Sequence, residues 1–138
     1  MTLTVSDAVL QARFQAVADH LDAASDPAEI WFYPAPRAAS LSDWPADPPL
    51  VRVVLSKPCG TATPTALTLA LPPDPSQVDI DGTAAWGRVV DGSGTPCMDG
   101  DAALADGSGT QPEEFLLSRV DMYAGAFVVL VSGVFTEG

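Results

Sequence analysis

Residues 82–95, GTAAWGRVVDGSGT, decide how the rest of the chain reads. Trp86, Arg88 and Val90 alternate with Gly87 and Val89, which is the two-residue period of a β-strand. Asp91-Gly92-Ser93-Gly94 then reads as a tight hairpin turn, because glycine admits the positive φ that such turns need. Thr95–Asp99 follows as the returning strand.

The same signal recurs in both directions. Glu29–Tyr33, Leu50–Ser56, Ala66–Leu71, Thr83–Asp91, Glu113–Val120 and Ala126–Thr136 are short apolar or alternating runs bounded by Gly, Pro or Asp. A weaker stretch, Gln77–Ile80, adds a further strand or extends its neighbour. Thirteen prolines, concentrated at 34–36, 45–49 and 72–75, keep those segments out of central strands and helix interiors. The expected fold is mainly β, an antiparallel β-sandwich of about seven or eight strands. An immunoglobulin-like sandwich and a jelly roll both fit; the long connections at 34–49 and 99–112 favour the jelly roll.

Only the start differs. Ser6 can cap a helix and Asp7 suits its positive end, while Leu10, Phe14, Val17 and Leu21 recur at helical spacing. Gln11, Gln15, Asp19 and Asp22 take the opposite face, and Asp26-Pro27 stops the helix. The expected organisation is a single domain over residues 1–138, with one N-terminal α-helix at about 6–24 and the sandwich at about 28–137.

Two strands are apolar on both faces. Ile30 and Phe32 oppose Trp31 and Tyr33, and Phe127–Val131 is apolar throughout. A strand with one wet face alternates, so both strands are expected to be covered on both sides. The helix, about 24 Å long, can cover one outer patch, and the remainder falls to a partner.

Charge bounds that partner. Eighteen acidic against six basic residues give a formal net charge of −12, and the basic residues are scattered singly. Nucleic-acid affinity comes largely from Lys and Arg on phosphates, so no nucleic acid is expected. No apolar run approaches the roughly 18 residues of a membrane span. The opening MTLTVSDAVL lacks the basic start of a secretory signal, so synthesis in cytoplasm is expected. Cys59 and Cys97 then read as reduced core residues.

The search for chemistry finds little. The single histidine, His20, lies among polar helix residues, and no nucleophile-elbow, phosphate-loop or dinucleotide motif is present. One histidine and two distant cysteines do not make a zinc set by spacing. The DGSGT repeats at 91–95 and 106–110, with Asp79/Asp81 and Asp99/Asp101, offer oxygens to calcium. However, the twelfth position of a loop starting at Asp99 is Thr110 rather than glutamate, and Asp-Gly is ordinary turn composition. Neither catalytic residues, metal ligands nor a cofactor are therefore expected.

The aromatic residues are the better candidates. Trp44 lies in a stiff proline-rich loop, where docking on a partner loses little entropy; the alternative is that it folds back to plug the sandwich. Trp31, Tyr33 and Trp44 are the candidate partner-interface residues, whereas Trp86 reads as core.

The stretch Gly82–Gly94, the final Val129-Leu-Val-Ser-Gly-Val-Phe-Thr, and the early helix followed by Glu29-Ile-Trp-Phe-Tyr and a Pro-Ala turn carry a resemblance. Together they resemble the jelly-roll capsid cement, or decoration, proteins of tailed bacteriophages. The middle, Leu41–Pro75, is more proline-rich than that pattern. The resemblance implies a structural virion protein on the outer capsid surface, made in the bacterial cytoplasm and bound as a homodimer to the major capsid protein. It brings no catalytic residues. A tail or neck component is the nearest alternative, and a calcium- or carbohydrate-binding β module the more distant one.

Overall fold

The computed structural model describes residues 4–136, so Glu137, the last residue of the expected sandwich, lies outside them. Helix α1 (Asp7–Asp22) begins where Ser6 accepts a hydrogen bond from Val9 N at 3.3 Å. Phe14, Ala18 and Leu21, at helical spacing, are buried, with Val17 packed at their margin. They do not lie on an outer patch of the sheet. They join the same core as the inward residues of the strands.

Among the described residues twelve strands follow: β1 (Glu29–Tyr33), β2 (Val51–Val54), β3 (Gly60–Ala62), β4 (Leu67–Leu69), β5 (Ser76–Gln77), β6 (Gly82–Thr83), β7 (Trp86–Val90), β8 (Pro96–Leu104), β9 (Phe115–Leu117), β10 (Asp121–Met122), β11 (Phe127–Val128) and β12 (Leu130–Phe135). Eight form one sheet in the order β2-β1-β7-β8-β9-β12-β4-β3, and β10–β6 and β11–β5 are two-stranded pairs. The sheet curls around its core: Val51 and Val53 near one end and Leu67 and Leu69 near the other belong to one apolar cluster. The fold is thus mainly β and sandwich-like with one N-terminal helix.

Two details differ from the sequence expectation. β8 does not stop at Asp99 but runs on to Leu104, through what reads as an irregular connection. It then pairs with β9 in parallel, Ala102 opposite Phe115, so the sheet is mixed rather than antiparallel. The cause lies in a glycine pair. Gly87 of β7 and Gly100 of β8 stand opposite each other. A methyl at Gly87 would sit 2.8 Å from the Phe32 ring, and one at Gly100 2.9 Å from the Phe115 ring. Their missing side chains make a trough in which Phe32 and Phe115 pack edge to face, with centroids 5.5 Å apart. Asp99-Gly100-Asp101 looks like a turn in sequence but is strand, because a ring fills the space over the glycine.

The segment 57–60 closes the C-terminal end of α1. The Asp22 carboxylate accepts the backbone N–H of Cys59 at 3.1 Å, and Lys57 Nζ donates to the carbonyls of Ala24 and Ser25. A cation there suits the negative end of the helix dipole. Asp22, expected on the solvent face, is therefore a helix-to-sheet tie. Phe14→Ala is expected to cost about 3–5 kcal/mol in denaturant unfolding, as for other buried Phe truncations; a near-neutral result would remove α1 from the core.

Cys59 is fully buried, and both cysteines are free. Burial, then the Asp22 charge, push the Cys59 thiol up from 9.0 to about 11. A group raised in the folded state contributes stability that is complete below its unfolded pKa. Stability from this thiol should therefore hold to about pH 9 and fall as pH rises through 11. Thermal melts across that window should show a smaller alkaline loss in Cys59→Ala; an equal loss would assign it to other groups.

Candidate partner-binding surface

Cross-strand register sets up one ladder on the outer face of β2–β1–β7–β8. Arg52 stands opposite Trp31, Trp31 opposite Arg88, and Arg88 opposite Asp99. The Arg52 guanidinium lies 4.3 Å over the Trp31 ring, whose Nε1 donates to Glu29 at 2.9 Å. Arg88 is completely buried. Its Nε and one terminal nitrogen grip both oxygens of Asp99 at 2.7 and 2.9 Å.

The proline-rich segment 34–49 folds over this ladder as a flap. Arg88 donates to the carbonyls of Asp43 at 2.7 Å and Ser40 at 3.1 Å, and Trp86 Nε1 donates to that of Pro34 at 3.1 Å. From the flap side, Arg37 reaches Asp101 at 2.9 Å and the Asp99 carbonyl at 2.8 Å. The Trp44 ring then closes over Arg88, 4.8 Å from its guanidinium, and against Trp31 at 5.6 Å. A cation this well enclosed is tolerable only because every face of the guanidinium has a partner.

The flap sorts the three aromatic candidates. Trp31 and Trp44 meet, and Trp44 stays 45% exposed although it folds back. Tyr33 is 3% exposed, stacked on Trp86 at 4.9 Å beneath the flap, so the partner-facing role expected of it is corrected. The second apolar face of β1 is covered by the chain itself rather than by a partner.

The other two-faced strand is not covered. Along β11 and β12, Val128 and Leu130 point into the core, whereas Phe127 (58%), Val129 (44%) and Val131 (43%) are exposed. Register slips between Leu130 and Ser132, which leaves Val131 as the extra residue of a bulge. Val131 and half-buried Leu116 line a shallow depression beside the 105–111 loop. Tyr123, on the turn before β11, is also exposed. Exposed apolar side chains at alternate positions along one segment are the kind of feature that can mark an interaction site. Their signal is already present in the run Phe127-Val-Val-Leu-Val131.

Most of the carboxylates considered for calcium have an oxygen held within the protein. Asp91 accepts from Ser93 and Thr95, Asp106 from Ser108, and Asp81 from Ala124. Asp99 and Asp101 hold Arg88 and Arg37. No helix among the described residues is long and apolar enough to cross a membrane. Comparison with protein-family models, curated proteins and solved structures finds no match.

Proposed function

We propose that this chain is a structural virion protein, a capsid cement or decoration protein that binds the outside of the major capsid protein shell of a tailed phage and stabilises it. The observation that carries this reading is the uncovered row Phe127, Val129 and Val131 on an otherwise acidic protein. This apolar row supplies adhesion, while a net charge of −12 keeps the protein soluble and self-repelling. The resemblance in strand and turn motifs supplies the occupant, the major capsid protein, and the homodimeric state. Modest contacts repeated over a shell add to high avidity. On this reading the chain has no catalytic step, nucleic-acid partner or membrane partner, and reaches the outer capsid surface after synthesis in the bacterial cytoplasm.

Cosedimentation of the purified protein with assembled shells tests the proposal. Saturable binding to closed shells is the expected result. Binding confined to tails or necks, or no binding to shells, would overturn it.

A further inference from the structure

Counting along the sequence sets zinc aside, but folding brings the only histidine to one of the two cysteines. A ligand atom of each of His20, Asp91 and Cys97 lies within 4.8 Å of the other two. His20 comes from the last turn of α1, Asp91 follows β7 at the start of the hairpin turn, and Cys97 follows the hairpin on β8. Gly92 permits the approach, since a side chain there would run into the Asp26 carbonyl and Ala24.

The carboxylate is already oriented. Asp91 Oδ1 accepts from Ser93 N at 3.0 Å, Ser93 Oγ at 2.7 Å and Thr95 N at 3.0 Å. That leaves Oδ2, which faces His20 Nε2 at 3.7 Å. This distance is too long for a hydrogen bond. It lies close to the edge of a tetrahedron built with ordinary zinc–nitrogen and zinc–oxygen bonds, about 3.3–3.5 Å. Hydrogen bonds that fix a ligand's second oxygen are the usual outer support of a metal site.

We propose that His20, Asp91 and Cys97 bind a thiophilic divalent cation, zinc foremost, through imidazole nitrogen, carboxylate oxygen and thiolate sulfur, with water as the fourth ligand. One nitrogen, one oxygen and one sulfur suit borderline-soft zinc, whereas calcium and magnesium need several oxygens. On binding, the Cys97 proton leaves to solvent and the 3.4 Å contact of the thiol with the Thr95 carbonyl is given up. The His20 side chain is 66% exposed, so the ion has an entry path. Bound there, it ties the end of α1 to the β7–β8 hairpin.

Cobalt titration of the tag-free, reduced full chain tests the site. A thiolate-to-cobalt charge-transfer band saturating at a single equivalent, displaced by zinc, is expected, with a higher melting temperature in zinc. Cys97→Ser should lose the band, and His20→Gln, an exposed change, should weaken zinc binding by at least about tenfold. Cys59→Ala should keep both. Absence of the band in the parent protein, its persistence in Cys97→Ser, or full affinity in His20→Gln would each overturn the proposal.

Discussion

Replacing Arg88 with alanine is expected to destabilise the protein by about 3–5 kcal/mol, read as a lower denaturant midpoint with an unchanged slope. The change removes one partner of a buried pair. Asp99, whose side chain is only 8% exposed, is left as an uncompensated charge. The carbonyls of Ser40 and Asp43 lose their donor, and Trp44 loses the cation beneath its ring. The flap should therefore loosen over Trp86 and Tyr33, which tryptophan fluorescence will report. The double change Arg88→Met with Asp99→Leu should cost far less, because a buried ion pair can be exchanged for packed apolar groups with little loss. A loss below about 1 kcal/mol in Arg88→Ala, with unaltered fluorescence, would mean that the flap is held in some other way.

That prediction depends on a contact no local pattern announces. Residues 82–95 are legible because strand and turn are encoded within a few neighbours: Gly94 has φ +90 and sits in the expected turn. The helix is legible for the same reason, through Ser6 and the spacing of Phe14 and Leu21. Alternation also shows correctly that Trp31 and Tyr33 share the second face of β1, but it cannot say what lies over that face. The answer is a loop held by an arginine on β7 and an aspartate on β8, fixed only once register is set. Proline content marks 34–49 as stiff without giving the direction in which it folds. The parallel β8–β9 pairing is hidden similarly, because Gly100 carries turn composition and its strand role depends on Phe115. His20 and Cys97 are silent in sequence for the same reason. Their proximity comes from a helix end and a hairpin that meet only in the fold.

The uncovered row yields the second large effect. Val129→Asp with Val131→Asp places two charges on an exposed face, so the isolated protein should keep its melting temperature within the usual range of surface changes. Cosedimentation with shells should fall by at least about 30-fold, the loss expected when a central apolar anchor worth about 2 kcal/mol is removed. Trp44→Ala is the matched comparison. With primary contact proposed at the β11–β12 face, this change should weaken binding less than the double aspartate does. The reverse order would move the interface to the aromatic ridge formed by Trp31 and Trp44.

The most direct measurement is the copy number of this protein relative to the major capsid protein in purified particles. A cement protein spread over the shell predicts many copies, in fixed ratio to the capsid subunit and retained through purification. A handful of copies confined to the tail or portal, or none at all, would contradict the account.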